Sequence, residues 1–181
     1  MLVGICGKAG AGKDTVGDYL VEKHGFEKIS LAGPIKRLVQ DIFVLSDEEV
    51  NDRVLREQPM PDWDGWSVRR LLQFIGTDMF RKLLFEDIWV RSLWKRVSSD
   101  FENNYVVTDV RFPNELEHLK NGGGDNFLSI KVVRDGCDGT VGIQGHESEK
   151  YDLETDMVLE NNDSFEDLFA KVNEIIAKRG N

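Results

Sequence analysis

Apolar positions follow two rhythms along the chain, and each rhythm predicts an element. Met1 to Cys6 is a short apolar run closed by glycine, as expected of a buried strand. Lys13 to Lys23 then carries Val16, Tyr19 and Leu20 at helical spacing, and Gly25 stops it. Glu27 to Ser30 reads as a second short strand, and Pro34 suits the first turn of a helix in LAGPIKRLVQDIF. From there to about Asp100 the pattern is mostly helical, through SDEEVNDRVLR, WSVRRLLQFIG and TDMFRKLLFEDIWVRSLWKRV. Turn residues around Pro59, Pro61 and Gly65 interrupt it.

Strands and helices then alternate again. Tyr105 to Asp109 is a β-branched strand ending in a carboxylate, and Pro113 with Asn114 opens a helix that closes at Gly122 to Gly124. Phe127 to Arg134 alternates as a strand. DGCDGTVGIQGHESEKYD is polar, glycine-rich and aperiodic, which predicts a mobile surface loop. Met157 to Glu160 forms a last strand. Ser164 caps a closing helix whose apolar face is Phe165, Leu168, Phe169, Val172, Ile175 and Ile176. This order predicts an α/β fold with a mainly parallel sheet flanked by helices, and 181 residues suit one domain.

Composition narrows the class. Apolar residues are 40% and charged residues 31%, the balance of a globular protein. No apolar run approaches the ~20 residues that span a bilayer, and MLVGICGKAG has no charged leader, so a cytoplasmic protein with no membrane partner is expected. A net charge of −10 argues against a nucleic-acid polymer as partner, because lysine and arginine drive that binding. A small phosphorylated ligand needs only a local cluster of arginines. Cys6 reads as a buried strand residue and Cys137 as a loop residue, with no disulfide and no metal cluster expected. The tryptophans Trp63, Trp66, Trp89 and Trp94 are expected in core or rim packing.

The candidate chemistry starts at the loop GICGKAGAGKDT, which carries G-x-x-x-x-G-K between a predicted strand and a predicted helix. Gly7, Gly10 and Gly12 let the backbone curl around an anion, with Lys8 and Ala11 between them, and Lys13 adds an ammonium for the β- and γ-phosphates. The expected ligand is ATP with Mg²⁺. Asp14 stands where a hydroxyl is usual, so either Asp14 or Thr15 meets the metal, and Asp109 is its second support. Asp109 and Arg111 follow a strand at its carboxyl end, where open α/β sheets bind ligands. Arg69 and Arg70 are adjacent on a predicted helix and point about 100° apart, so one at most faces a phosphate squarely. Arg134 borders the glycine-rich loop as a lid arginine. His146, Glu147 and Glu149 lie within that loop without the further ligands a transition metal needs.

Several stretches together resemble one family, the phage-type deoxynucleoside monophosphate kinases: GKAGAGKDT, LAGPIK, WSVRRLLQFIGTD, VVTDVRFPNE, the HESE region and ENNDSFEDLF, in order from end to end. Phosphomevalonate kinases share some of these pieces, and WSVRRLLQFIGTD favours the nucleotide kinase. The resemblance implies a P-loop kinase fold over 1–181, with a helical acceptor-binding region at about 34–103 and a lid at about 135–150. It implies transfer of the γ-phosphoryl of ATP to a deoxynucleoside monophosphate. Gly7 to Thr15 would bind the ATP phosphates and Asn161 would lie near the adenine. Lys36, Arg69, Arg70, Thr77, Asp78 and Arg111 would surround the acceptor, with Glu149 of the HESE region. Lys13, Arg69, Asp109, Arg111 and Arg134 would carry most of the catalysis. The alternatives are a kinase for another phosphate monoester, of phosphomevalonate or dephospho-coenzyme A type, and a nucleotide-binding switch without turnover. A homodimer is left open.

Overall fold

All five residues of the first strand, β1 (Leu2–Cys6), are buried, because helices cover both its faces. The computed structural model describes residues 1–97, 103–137 and 151–179. Its backbone contacts divide the chain into two compact units, Met1–Ser30 with the chain from Leu93 onward, and Leu31–Ser92.

The first unit holds the sheet. β2 (Glu27–Lys28), β3 (Tyr105–Val107), β4 (Phe127–Val133) and β5 (Met157–Glu160) join β1 in the order β2-β3-β1-β4-β5, and every pairing is parallel. β1 therefore sits centrally, between β3 and β4, and the loop that follows it opens at the carboxyl edge of the sheet. Val3, Ile5, Leu128, Ile130 and Val132 pack with Val16 and Leu20 of α1 (Lys13–His24) and with Leu168, Val172 and Ile175 of α7 (Phe165–Arg179). Tyr19 stacks on Phe169 at 4.0 Å between ring centroids, which fastens these two helices to each other. Phe165 departs from the predicted apolar face: it is 64% exposed, lying at the very start of α7 with Phe169 as its ring partner. α6 (Pro113–Gly123) packs against β4 and β1.

The second unit is helical: α2 (Gly33–Phe43), α3 (Asp47–Asn51) and α4 (Val68–Gln73). The helix expected over SDEEVNDRVLR is confined to α3, where Ser46 and Glu49 form a capping box. It stops because the Asp52 carboxylate accepts the Val54 and Leu55 N–H groups at 2.8 Å each, an alternative to helical bonding. After α4 the chain continues as wide π-type turns over Phe74–Arg81, where a regular helix is predicted. Gly76 lies against Ile35, and its carbonyl accepts the buried Trp89 indole N–H at 2.9 Å, a tertiary partner that a regular helix competes for. The long helix expected from Thr77 onward also breaks near Leu84, and α5 (Ile88–Val97) begins anew after Asp87, whose carbonyl accepts the Arg91 N–H.

Candidate active site

The loop after β1 is bent by glycines at positive φ: 138° at Gly7, 83° at Gly10 and 104° at Gly12. A β-carbon on Gly7 would overlap the Val132 carbonyl, and one on Gly12 would overlap the Asn161 amide. Both positions combine close approach with a left-handed backbone, so only glycine fits. The Lys13 ammonium donates to the Gly7 and Lys8 carbonyls at 2.8 Å each, which folds the side chain over its own loop. Ala11 N–H closes the turn on the Lys8 carbonyl at 3.2 Å.

A cavity of about 480 Å³ opens in front of this loop, at the carboxyl ends of β1 and β4. Gly7, Lys8, Lys13, Arg111, Arg134 and Lys131 line it together with Asp152. Arg111 is aimed from the loop after β3, where the Glu115 carboxylate accepts the Arg111 and Phe112 N–H groups at 2.9 and 3.1 Å. Cys6 is also in the wall; burial pushes its thiol up to about 11, outweighing the pull of Lys131 and Lys13. Cys6 and Cys137 are both free thiols. This concentration of cations around curled backbone N–H groups is suited to a polyphosphate.

Asp14 lies beside this cavity's lining residues rather than among them. Its carboxylate accepts the Thr108 hydroxyl at 2.9 Å and pairs with the Lys28 ammonium at 3.0 Å; Lys28 also pairs with Asp18. Burial works against the charge on Asp14, yet the bonds from Lys28 and Thr108 prevail and hold the carboxyl below its ordinary range. Thr15 is half-buried in the first turn of α1. Thr108 and Asp109, predicted as strand, fall just past the end of β3, and Asp109 accepts the Ser30 hydroxyl at 2.7 Å.

Asn161 is buried behind the loop. Its amide donates to the Ala11 carbonyl at 2.8 Å, and its backbone N–H donates to the Val133 carbonyl at 2.8 Å. The side-chain oxygen Oδ1 of the neighbouring Asn162 accepts the Asp135 N–H at 2.8 Å. Two consecutive asparagines thus tie the glycine loop to the backbone on either side of Arg134.

The remaining acceptor candidates lie in the second unit. Arg69 is buried and paired with Glu57, whereas the Arg70 guanidinium lies over the Trp66 ring at 3.9 Å. Their different surroundings follow the divergence expected of adjacent helical residues. Thr77 is buried, Asp78 accepts the Lys82 ammonium at 2.7 Å, and Lys36 donates to Asn51 at 2.8 Å. Of the tryptophans, Trp89 is buried and Trp63 is 40% exposed. His146, Glu147, Glu149 and most of the expected lid lie outside the described residues. Among the described residues no cluster of three or more His, Cys, Asp or Glu could hold a metal ion, and no helix is long and apolar enough to cross a membrane. Sequence reasoning missed Lys28, Thr108, Lys131 and Asp152. Lys131 did carry a signal, as a charge in the otherwise apolar strand FLSIKVV.

Comparison with known proteins agrees with this geometry. The family model described as deoxynucleotide monophosphate kinase matches residues 1–65 and 46–172. A protein of Acanthamoeba polyphaga mimivirus, provisionally named a deoxynucleotide monophosphate kinase, is 32% identical over 185 residues, covering 95% of this chain and 94% of its own length. The deoxynucleotide monophosphate kinase of Escherichia phage RB69 is 35% identical over 120 residues, 62% of this chain and 46% of that protein. Among solved structures, shikimate kinase from Acinetobacter baumannii superposes with a TM-score of 0.55 at 15% identity, covering 98% of this chain and 93% of that one. The Mycobacterium tuberculosis APS kinase bound to AMPPNP and APS gives 0.53 at 10% identity, covering 97% and 95%. These likenesses share the P-loop kinase fold. With the glycine loop in place and the family match running nearly end to end, the chain belongs to the deoxynucleotide monophosphate kinase family.

Proposed function

We propose that this chain transfers the γ-phosphoryl group of ATP to the phosphate of a deoxynucleoside 5′-monophosphate, releasing ADP and the deoxynucleoside diphosphate. The observation that carries this reading is the cavity in which Lys13, Arg111 and Arg134 face a loop of positive-φ glycines. In the transfer, an acceptor phosphate oxygen bonds to the γ-phosphorus as the bond to the β,γ-bridging oxygen breaks. The attacking oxygen is already anionic near neutral pH, so no strong base is required, and catalysis becomes positioning and charge neutralisation.

Gly7 to Thr15 hold the ATP phosphates, with Asn161 supporting the loop from behind. Lys13, Arg111 and Arg134 neutralise the charge that spreads over the transferring group. Acceptor recognition falls to Lys36, Arg69, Arg70, Thr77 and Asp78, with Arg111 and Glu149. Asp14, Thr15 and Asp109 offer hard oxygen donors, the set that suits Mg²⁺, which when bound neutralises the β- and γ-phosphates. The Thr108 and Lys28 bonds both fall on Oδ1 of Asp14, so Asp14 Oδ2 and the Thr15 hydroxyl both stand as donors from the start of α1.

An acceptor panel tests the reading. Purified protein with ATP, Mg²⁺ and each of the four deoxynucleoside monophosphates should form a diphosphate with at least one. Turnover on none of them, or only on phosphomevalonate or dephospho-coenzyme A, overturns it.

A further inference from the structure

We propose that Lys131 is a phosphate-binding residue of the ATP cavity, and that the Asp152 carboxylate holds its ammonium until a polyphosphate displaces it. The inference rests on the reading that this cavity takes the phosphates of a nucleotide. The β1–β4 register sets Lys131 opposite Cys6, the last strand residue before the glycine loop, so both side chains leave the same face of the sheet. There Lys131 lines the same cavity as Lys8, Lys13, Arg111 and Arg134. Cys6, Lys13 and Lys131 all line that cavity wall.

The ion pair is unequal in a way that suits exchange. Lys131 is anchored by a central strand and its side chain is 24% exposed, whereas Asp152 is 86% exposed. Among the described lining residues Asp152 is also the one acid, set against five cations. Bonding to Lys131 holds its carboxyl below the ordinary range. An ion pair with one member so open to water is weak and screened by salt. A polyphosphate brings more charge and more acceptor oxygens to the same ammonium, and the flanking cations hold it there. It therefore replaces Asp152 rather than sharing Lys131 with it. A purely structural pair would instead hold Lys131 away from the ligand.

The test is calorimetric binding of ATP, and separately of inorganic tripolyphosphate, without acceptor. It uses the whole chain as wild type, Lys131→Met, Lys131→Arg, Asp152→Asn and the Lys131→Met/Asp152→Asn double variant. Lys131→Met should weaken both ligands by roughly tenfold, the scale of one charge-assisted bond, and Lys131→Arg should restore most of it. Asp152→Asn should tighten both ligands, and most of that gain should vanish in the Lys131→Met background. Unchanged affinity in Lys131→Met, or an equal Asp152→Asn effect in both backgrounds, overturns the proposal. Circular dichroism of each variant separates lost binding from lost fold, and the exposed Asp152→Asn change carries the test if Lys131→Met misfolds. If the wild type binds ATP but phosphorylates no deoxynucleoside monophosphate, the functional reading fails while the role of Lys131 stands.

Discussion

Gly7 holds a φ of 138° directly beneath the Val132 carbonyl, so backbone strain and steric overlap both exclude a side chain there. Gly7→Ala should destabilise the fold by about 2 kcal/mol or more and remove ATP binding. Thermal unfolding checks the first effect and calorimetry the second; ATP affinity equal to wild type would contradict the role given to this turn. The residue scale also shows where sequence reading stops. The spacing of Gly7, Gly12 and Lys13 is local, and it announced a phosphate loop without any tertiary knowledge. The partners of Asp14 are not local: Lys28 comes from a two-residue strand and Thr108 from beyond the end of β3. Nothing near Asp14 in the sequence says that its carboxylate is already bonded.

Elements were legible where hydrophobic period and turn chemistry agree. β4 and β5 lie where the sequence places strands, although β4 is buried nearly throughout rather than on alternate residues, and α1 ends at Gly25 in a left-handed conformation, as its glycine signals. The failures lie where a tertiary contact overrides local pattern, as at Gly76, whose carbonyl is claimed by Trp89 from thirteen residues away. The approach to β5 depends on another such contact. The Asp156 carboxylate accepts the Ser129 N–H at 2.9 Å and hydroxyl at 2.7 Å, which pins the chain before β5 to β4. Burial opposes the charge on Asp156, but the Ser129 bonds prevail and hold its carboxyl below the ordinary 3.8. A carboxyl lowered on folding stabilises above its unfolded value and loses that contribution as pH falls through its folded value. Asp156→Asn should therefore cost about 1 kcal/mol near neutrality, after allowance for solvent screening. The melting-temperature gap to wild type should close as pH drops below about 4. A gap that stays constant down to pH 2 would show that the charge contributes nothing.

At the scale of the molecule, a chain with net charge −10 keeps five cationic side chains around one cavity. That local charge suits a small polyanion even on a molecule whose overall charge is negative. The parallel sheet was readable because strands and helices alternate. The composition of the cavity was not, because it depends on the register that brings Lys131 beside Cys6. Lys13 lines this cavity and donates to the exposed or half-buried Gly7 and Lys8 carbonyls of its own loop, so its loss should spare the fold. The central claim is phosphoryl transfer from ATP to a deoxynucleoside monophosphate, and following a γ-phosphate label tests it most directly. The account predicts label in the deoxynucleoside diphosphate with wild-type protein, and a rate at least about a hundredfold lower in a folded Lys13→Ala variant. Label released only as inorganic phosphate, or transfer undiminished in Lys13→Ala, would contradict it.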